Sequence, residues 1–108
     1  MLTVREGIHL FVYFNPVDMR KSIDGLSALV VDALERNPNN GDMYIFRNKR
    51  SNKIKINYYD RNGFSLHYKR LDKGGFKFPK IVKASTVQLS AEQLDWLLMR
   101  FDFMLSAS

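Results

Sequence analysis

Acidic side chains are the residues of this sequence whose chemistry would be most consequential, because two or three converging carboxylates can hold the divalent metals that cleave phosphodiester bonds. Six acidic residues fall near predicted helix ends or turns: Asp18, Asp24, Asp32, Glu35, Asp60 and Asp72. Asp18 is predicted to cap a helix, and the next three lie on the solvent face of that helix. The last two flank turns, where Asp is common for local hydrogen-bond reasons. The sequence therefore predicts no catalytic metal centre.

Other catalytic or cofactor chemistry finds little support. The chain has no cysteine, which excludes disulfides and thiolate-bound zinc. His9 and His67 lie in separate strand-like runs, where a packed or hydrogen-bonded histidine is expected and not a metal ligand. Gly74-Gly75 lacks the Lys-Ser/Thr and the helix that follow a phosphate-binding loop. We expect no enzyme activity, no metal and no cofactor.

Basic residues are concentrated in one part of the chain. Between Arg47 and Lys83 lie twelve Lys or Arg against two Asp, whereas the rest of the chain holds five cations and nine anions. Such an asymmetry is typical of a surface for nucleic acid or for an acidic partner, although runs of charge are also common on ordinary solvated faces.

Two further cations, Arg20 and Lys21, are predicted in the first turn of the core helix, where the helix dipole disfavours positive charge. Together with free backbone amides at a helix start they would suit a phosphate. The alternative is that they pair with Asp24 or another surface acid.

The elements that must position these residues form an α+β fold. We expect one domain over residues 1–108: a curved antiparallel sheet, a meander of about five strands, packed on one core helix with a C-terminal helix. The predicted elements are a strand over 9–14, the core helix after Asp18, a strand from 43 to 47, a hairpin around 53–70, a short strand at 86–89 and a helix opened by a capping box of Ser90 and Gln93.

The hairpin register is predicted by matching faces. A two-residue turn at Asn62-Gly63 would set Ile56 against Lys69 and mix apolar with charged positions. A three-residue loop of residues 61–63 pairs Ile56 with Tyr68, so that Phe46, Ile54, Ile56, Tyr58, Leu66 and Tyr68 would face the core helix.

The same register sets Lys55 against Lys69 on the outer face, a like-charge pair that costs a few tenths of a kcal/mol. Locally unfavourable pairs tend to lie at functional surfaces. The alternative is that the two lysines spread into water.

Two sets of candidate contact residues follow from these patterns. Cations and polar rings of the basic region, with the pair before the core helix, are predicted to contact nucleic acid: Arg20, Lys21, Arg47, Lys49, Arg50, Lys53, Lys55, Tyr59, His67, Lys69, Arg70 and Lys73. Apolar residues around more than one face of the last helix are predicted to contact a protein partner: Trp96, Phe101, Phe103 and Met104. Packing within the same domain would explain the second set equally well.

Several motifs in order resemble a known family. They are DMRKSIDGL at 18–26, FRNKR at 46–50, KIKI at 53–56 before Asp60 and Gly63-Phe64, YKRL at 68–71, the run from Gly74 to Pro79, and Leu89-Ser90 with Gln93-Leu94. The chain is similar, from about His9 to Phe103, to the small accessory protein of insertion sequences of the sixty-six type. That family is often labelled TnpB and is distinct from the RNA-guided nucleases that share the label.

The resemblance implies a protein that assists a separate, larger transposase, and it supplies no catalytic residues. This chain departs from the family at the aromatic positions before Asp60, which are Tyr58 and Tyr59 where tryptophan is frequent, at Gly75 in place of arginine, and at Ser51 in place of glycine.

The expected function is that of a non-catalytic accessory factor that binds the DNA backbone through a basic hairpin surface. The alternative is an interaction module that docks the transposase or the element's second accessory protein without touching DNA. The chain has no apolar run long enough to span a membrane and no secretory signal, so we expect a cytoplasmic protein, associated with the nucleoid when bound to DNA.

Overall fold

The computed structural model describes Leu2, residues 4–79 and residues 84–101. Within these residues lie five strands and two helices. In chain order they are β1 (Leu10–Tyr13), α1 (Ile23–Asp32), β2 (Met43–Arg47), β3 (Lys53–Asp60), β4 (Gly63–Arg70), β5 (Thr86–Leu89) and α2 (Ala91–Leu98).

The strands form one mixed sheet in the order β4-β3-β2-β1-β5. Strands β2, β3 and β4 form the expected antiparallel meander, and β5 pairs antiparallel with β1. The α+β class is confirmed, but an antiparallel arrangement throughout is wrong, because β1 and β2 run parallel. The crossover between them contains α1, which gives the chain the length it needs to return in the same direction.

Apolar clusters cover both faces of the sheet. On one face, called here the α1 face, Leu26 and Val30 of the helix pack with Phe11, Tyr44 and Phe46. On the other, called the α2 face, Leu94 and Leu97 of α2 and Phe76 of the loop after β4 pack against the alternate strand positions. Those strand residues are Leu10, Val12, Met43, Ile45, Ile54, Ile56 and Leu89. Neither face of the central strands is therefore left to solvent.

The predicted core is divided by this arrangement. Phe46 is buried on the α1 face and Leu66 packs there too, as expected. Ile54, Ile56 and Tyr58 belong to the α2 face instead. Tyr68 is wrongly placed in the predicted core, because it is 49% exposed.

The start of α1 also differs from the prediction. The helix begins at Ile23 with Ser22 at the N-cap, and Asp18 does not cap it. Asp18 instead accepts a hydrogen bond from the backbone amide of Arg20 at 2.9 Å, which closes a turn before the helix. Arg20 and Lys21 therefore lie ahead of the helix and not in its first turn. The capping box of Ser90 and Gln93 at α2 is confirmed.

The turn of the β3–β4 hairpin is one residue shorter than predicted, which shifts the pairing register. Asp60 pairs with Gly63, so the turn is Arg61-Asn62, and Arg61 takes the left-handed conformation at φ 58°. Lys55 then pairs with Tyr68, and Lys69 with Ile54. The predicted register is wrong because apolar residues cover both faces of β3, whereas the prediction required one face to be open to solvent.

Candidate nucleic-acid interface

The observed register places the predicted cations of the hairpin on opposite sides of the sheet. Residues paired across antiparallel strands share a face. Lys55 pairs with Phe46 and with Tyr68, so it lies on the α1 face together with the pair Lys53 and Arg70. Lys69 pairs with Ile54 and lies on the α2 face. A single outer surface that carries both Lys55 and Lys69 does not exist.

A groove on the α1 side brings together cations other than Lys55 and Lys69. We call it the basic groove, with a volume of about 580 Å³ and a lining of Val17, Asp18, Met19, Arg20, Asn48, Lys49, Arg50, Lys53 and Tyr68. Its walls are the turn before α1, the turn between β2 and β3, and the adjoining ends of β3 and β4. Four predicted cations meet there, and Arg70 lies opposite one of them, Lys53, on β4.

Four of these cations, Lys49, Arg50, Lys53 and Arg70, form no ion pair with an acid in the part of the chain that the structure describes. The pairing of Lys53 with Arg70 is a like-charge pair directly across two strands, an unfavourable contact of a few tenths of a kcal/mol. The predicted like-charge pair of Lys55 with Lys69 is therefore wrong, and the like-charge pair that the structure shows is Lys53 with Arg70. Positive charge in excess of the one carboxylate that lines the groove, Asp18, makes an attractive site for an anion.

Side-chain hydrogen bonds fix the turn that carries Lys49 and Arg50. The Asn48 side chain accepts from the amide of Lys53 at 3.0 Å and donates to Asn52 Oδ1 at 2.7 Å. The amide of Phe76 donates to the carbonyl of Ser51 at 2.6 Å, which ties the loop after β4 to this turn. The cations at its tip are thus presented from a constrained backbone.

On the opposite wall, Arg20 is already paired. Its Nη2 lies 2.6 Å from Asp18 Oδ2, and its Nε also donates to that carboxylate. The Arg20 guanidinium lowers the pKa of Asp18 to about 2, so the carboxylate is ionised at neutral pH. The alternative of pairing with a surface acid is confirmed for Arg20, whereas the ion pairs of the described residues do not include Lys21. The Arg20 charge is partly neutralised in the groove.

Lys55 is a structural residue at the base of this wall. Only 9% exposed, it donates from Nζ to the carbonyls of Met19 at 2.7 Å and Lys21 at 2.8 Å. The expectation that Lys55 presents its ammonium to solvent is wrong, because α1 and the turn before it cover this strand position. The ammonium instead secures the turn that carries Arg20.

Tyr68 supplies the groove with an aromatic surface. Lys55 Nζ lies 5.3 Å from the centroid of the Tyr68 ring, a cation–π distance, while about half of Tyr68 remains exposed. The prediction treated this residue as core and missed it as part of the site.

Three predicted contact residues lie on the α2 face, away from the groove. The guanidinium of Arg47 is half-buried, donates to Ser51 Oγ and to the Asn48 carbonyl, and has a pKa lowered by burial. Lys69 donates to the carbonyl of Leu98 at 3.3 Å. His67 pairs with Ile56, and burial, with a contribution from Lys69, lowers the pKa of its imidazole.

His67 also borders a second cavity of about 500 Å³ near Asp60, at the end of β3 opposite the groove. Arg5 pairs with Asp60 there at 3.3 Å. The remaining predicted cations are exposed, Lys21 before α1 and Lys73 after β4, while Tyr59 packs edge-on against Phe64. The structure does not bring these residues into the groove.

Of the predicted protein-contact residues, the structure describes Trp96 in α2 and Phe101 after its end. Trp96 is half-buried, whereas Phe101 is 52% exposed and its neighbour Met99 is 62% exposed. Phe103 and Met104 lie outside the described residues. Met99 is therefore an addition to the apolar set.

Sequence reasoning missed Asp18 and Tyr68 as groove residues. The spacing Asp18-x-Arg20 is itself a signal for a turn closed by an Asp side chain, and it was assigned to a helix cap instead. No local signal distinguishes Tyr68 as exposed, since its exposure follows from the hairpin register.

The described residues contain no group of three His, Asp or Glu able to hold a metal ion. No described helix has the length and apolar character to cross a membrane.

The fold and groove define a class of small α+β proteins with one concentrated cationic site. Comparison with known proteins identifies the family within that class: residues 8–106 match the family described as IS66 Orf2 like protein, and the chain belongs to that family. It is thus an accessory protein of insertion sequences, associated with transposition, and the family is not a known catalytic one.

Two curated relatives come from Sinorhizobium fredii. The uncharacterized protein y4jC is 36% identical over 103 residues, which cover 95% of this chain and 87% of the relative. The uncharacterized protein y4hO is 29% identical over 103 residues, covering 95% and 89%. No solved structure gives a significant match.

Proposed function

We propose that the protein is a non-catalytic accessory factor for transposition that binds the DNA backbone in the basic groove. The observation that carries this proposal is the convergence of Lys49, Arg50, Lys53 and Arg70 without described acid partners, beside a fifth cation, Arg20. Membership of an insertion-sequence family supports DNA as the anion.

The physics of the site predicts the character of binding. Lys and Arg that neutralise phosphates release condensed counterions, so log K falls linearly with log salt. If the four unpaired cations each neutralise one phosphate of duplex DNA, the slope is about −3.6. Phosphate contacts position a protein on DNA without reading its sequence, so we expect little preference among duplex sequences.

Fluorescence anisotropy with labelled duplex at several salt concentrations tests this proposal. Lys53→Met should weaken binding and reduce the magnitude of the slope by about 0.9, the loss of one phosphate. Lys69→Met is the matched control, because it makes the same charge change on the other face of the hairpin and should leave the slope unaltered. Absence of binding at low salt, or equal effects of the two variants, would contradict the proposal.

Absence of catalysis is tested separately. Supercoiled plasmid incubated with the protein and Mg²⁺ or Mn²⁺ should remain uncut. Nicking that is lost in Asp60→Asn or Asp72→Asn would show that the protein is an enzyme.

A second candidate function is docking of the transposase or the second accessory protein. It is favoured by the exposure of Met99 and Phe101 at the end of α2. Aromatic residues dominate binding energy at protein interfaces, so Phe101→Ala should release the transposase. Co-purification from cells carrying the complete element, before and after nuclease treatment, tests this, since retention after nuclease indicates direct contact and loss indicates a DNA bridge.

A further inference from the structure

Tyr68 differs from the rest of the groove lining in being an exposed aromatic ring. The ring approaches the buried Lys55 ammonium at 5.3 Å, and the residue is 49% exposed where it lines the groove. Lys55 is itself held by the carbonyls of Met19 and Lys21. The ring therefore has a fixed neighbour in the fold and free surface in the groove.

Cations surround this ring. Lys53 and Arg70 form the next pair on the same face of these two strands, and Lys49 and Arg50 lie on the turn that borders the groove. A phosphate chain that follows these cations would bring its bases to the level of the tyrosine.

A ring of this kind has little to bind in duplex DNA, where bases are stacked on each other and the backbone lies outside. In an unpaired strand the bases are available, and each has a face that can stack on an aromatic side chain. Stacking of one base typically strengthens binding by roughly five- to 150-fold. A positively charged groove combined with an aromatic ring is the usual construction of a site for single strands.

We propose that Tyr68 stacks on one base of unpaired DNA, so that the basic groove prefers single-stranded over duplex DNA. This inference rests on the proposed function, because the same cations must hold the backbone. It adds that the bound DNA is single-stranded and that Tyr68 is the residue that distinguishes it from duplex DNA.

The test compares three labelled oligomers of about 12 nucleotides, within the span that single-strand sites cover. They are oligo-dT, the same oligomer in a duplex, and an abasic chain of equal phosphate number. We expect oligo-dT to bind about tenfold tighter than the abasic chain and tighter than the duplex. An oligo-U arm tests the sugar, and tenfold tighter binding of RNA would overturn the assignment to DNA.

Two variants assign the effect to the ring. Tyr68→Ala should reduce oligo-dT affinity about tenfold to the level of the abasic chain, with an unaltered salt slope, whereas Tyr68→Phe should retain the affinity. With purified protein and no transposase present, Phe101→Ala is the matched control, since it removes a ring of similar exposure that does not line the groove. Thermal melts of the variants establish that each is folded.

The outcomes separate the two proposals. The stacking inference would be overturned if all three oligomers bound equally and Tyr68→Ala left the affinity unchanged. A salt slope that Lys53→Met still reduces would, in that case, leave backbone binding intact. Failure of all oligomers to bind at low salt would overturn both.

Discussion

Replacing Lys55 by Met is the sharpest test of the distinction between a structural cation and a DNA-binding one. The substitution keeps a long unbranched side chain but removes two hydrogen bonds, from Nζ to the carbonyls of Met19 and Lys21 at 2.7 and 2.8 Å. A hydrogen bond to a charged group contributes roughly 1.5–3 kcal/mol. The variant also no longer buries an ammonium, which offsets part of this loss. We expect a net destabilisation of about 2 kcal/mol.

Urea and thermal denaturation followed by circular dichroism measure this effect. For a domain of this size the loss corresponds to a fall in Tm of about 10 °C. Lys53→Met is the control two residues away on the same strand face, and it should alter stability by less than about 0.5 kcal/mol. The salt dependence of DNA binding should show the reverse pattern, with a reduced slope for Lys53→Met and an unaltered one for Lys55→Met.

A Lys55→Met variant that is as stable as the unmodified protein, with a salt slope smaller by about 0.9, would contradict a structural role for Lys55. That pair of results would mean that the Lys55 ammonium contacts phosphate and that the turn before α1 does not depend on it.

Three further predictions concern charge, backbone conformation and pH. Asp18→Asn should free Arg20 for phosphate and steepen the salt slope of DNA binding by up to about 0.9. Asp32→Asn makes the same charge change on α1 and should leave the slope unaltered. Equal slopes for the two variants in anisotropy titrations would contradict neutralisation of Arg20 by Asp18. Gly74, at φ 72°, should tolerate alanine only at a cost of about 1–2 kcal/mol, visible as a lower urea midpoint with an unchanged DNA slope. Burial lowers the pKa of the His67 imidazole below its ordinary 6.5, so on acidification the unfolded chain binds the proton before the folded one does. The contribution of neutral His67 to the free energy of unfolding should therefore be fully present above pH 6.5 and decline as the pH falls through the lower pKa of the folded state. Urea titrations at pH 5, 6 and 7 should show that His67→Gln flattens this decline, and an equally steep decline in the variant would assign it to other groups.

Much of the fold follows from local patterns in the sequence. Apolar and β-branched runs predicted the strands, and the capping box of Ser90 and Gln93 predicted the start of α2, because these signals act over a few residues. The parallel pairing of β1 with β2 could not be predicted in the same way, since it depends on the return path of the chain over α1.

The site was predicted in part. The basic character of the region around Lys49, Arg50 and Lys53 was evident, but which cations share a surface depends on a one-residue difference in the hairpin register. A change of one residue moves a side chain to the other face, which separates Lys55 from Lys69. The burial of Lys55 depends on the covering of both sheet faces, which the alternation of lysine and isoleucine does not reveal.

The position of β1 between β2 and β5 has a consequence for the order in which the molecule assembles. The meander of β2, β3 and β4 joins strands close in sequence and can form early, whereas β1 must close a long crossover before it can pair with β2. Among the described strands β5 is hydrogen-bonded to β1 alone, so its docking waits for that closure. Because one wall of the groove belongs to the crossover, a chain that has formed only the meander would carry the cations of the hairpin before it could present them as a site.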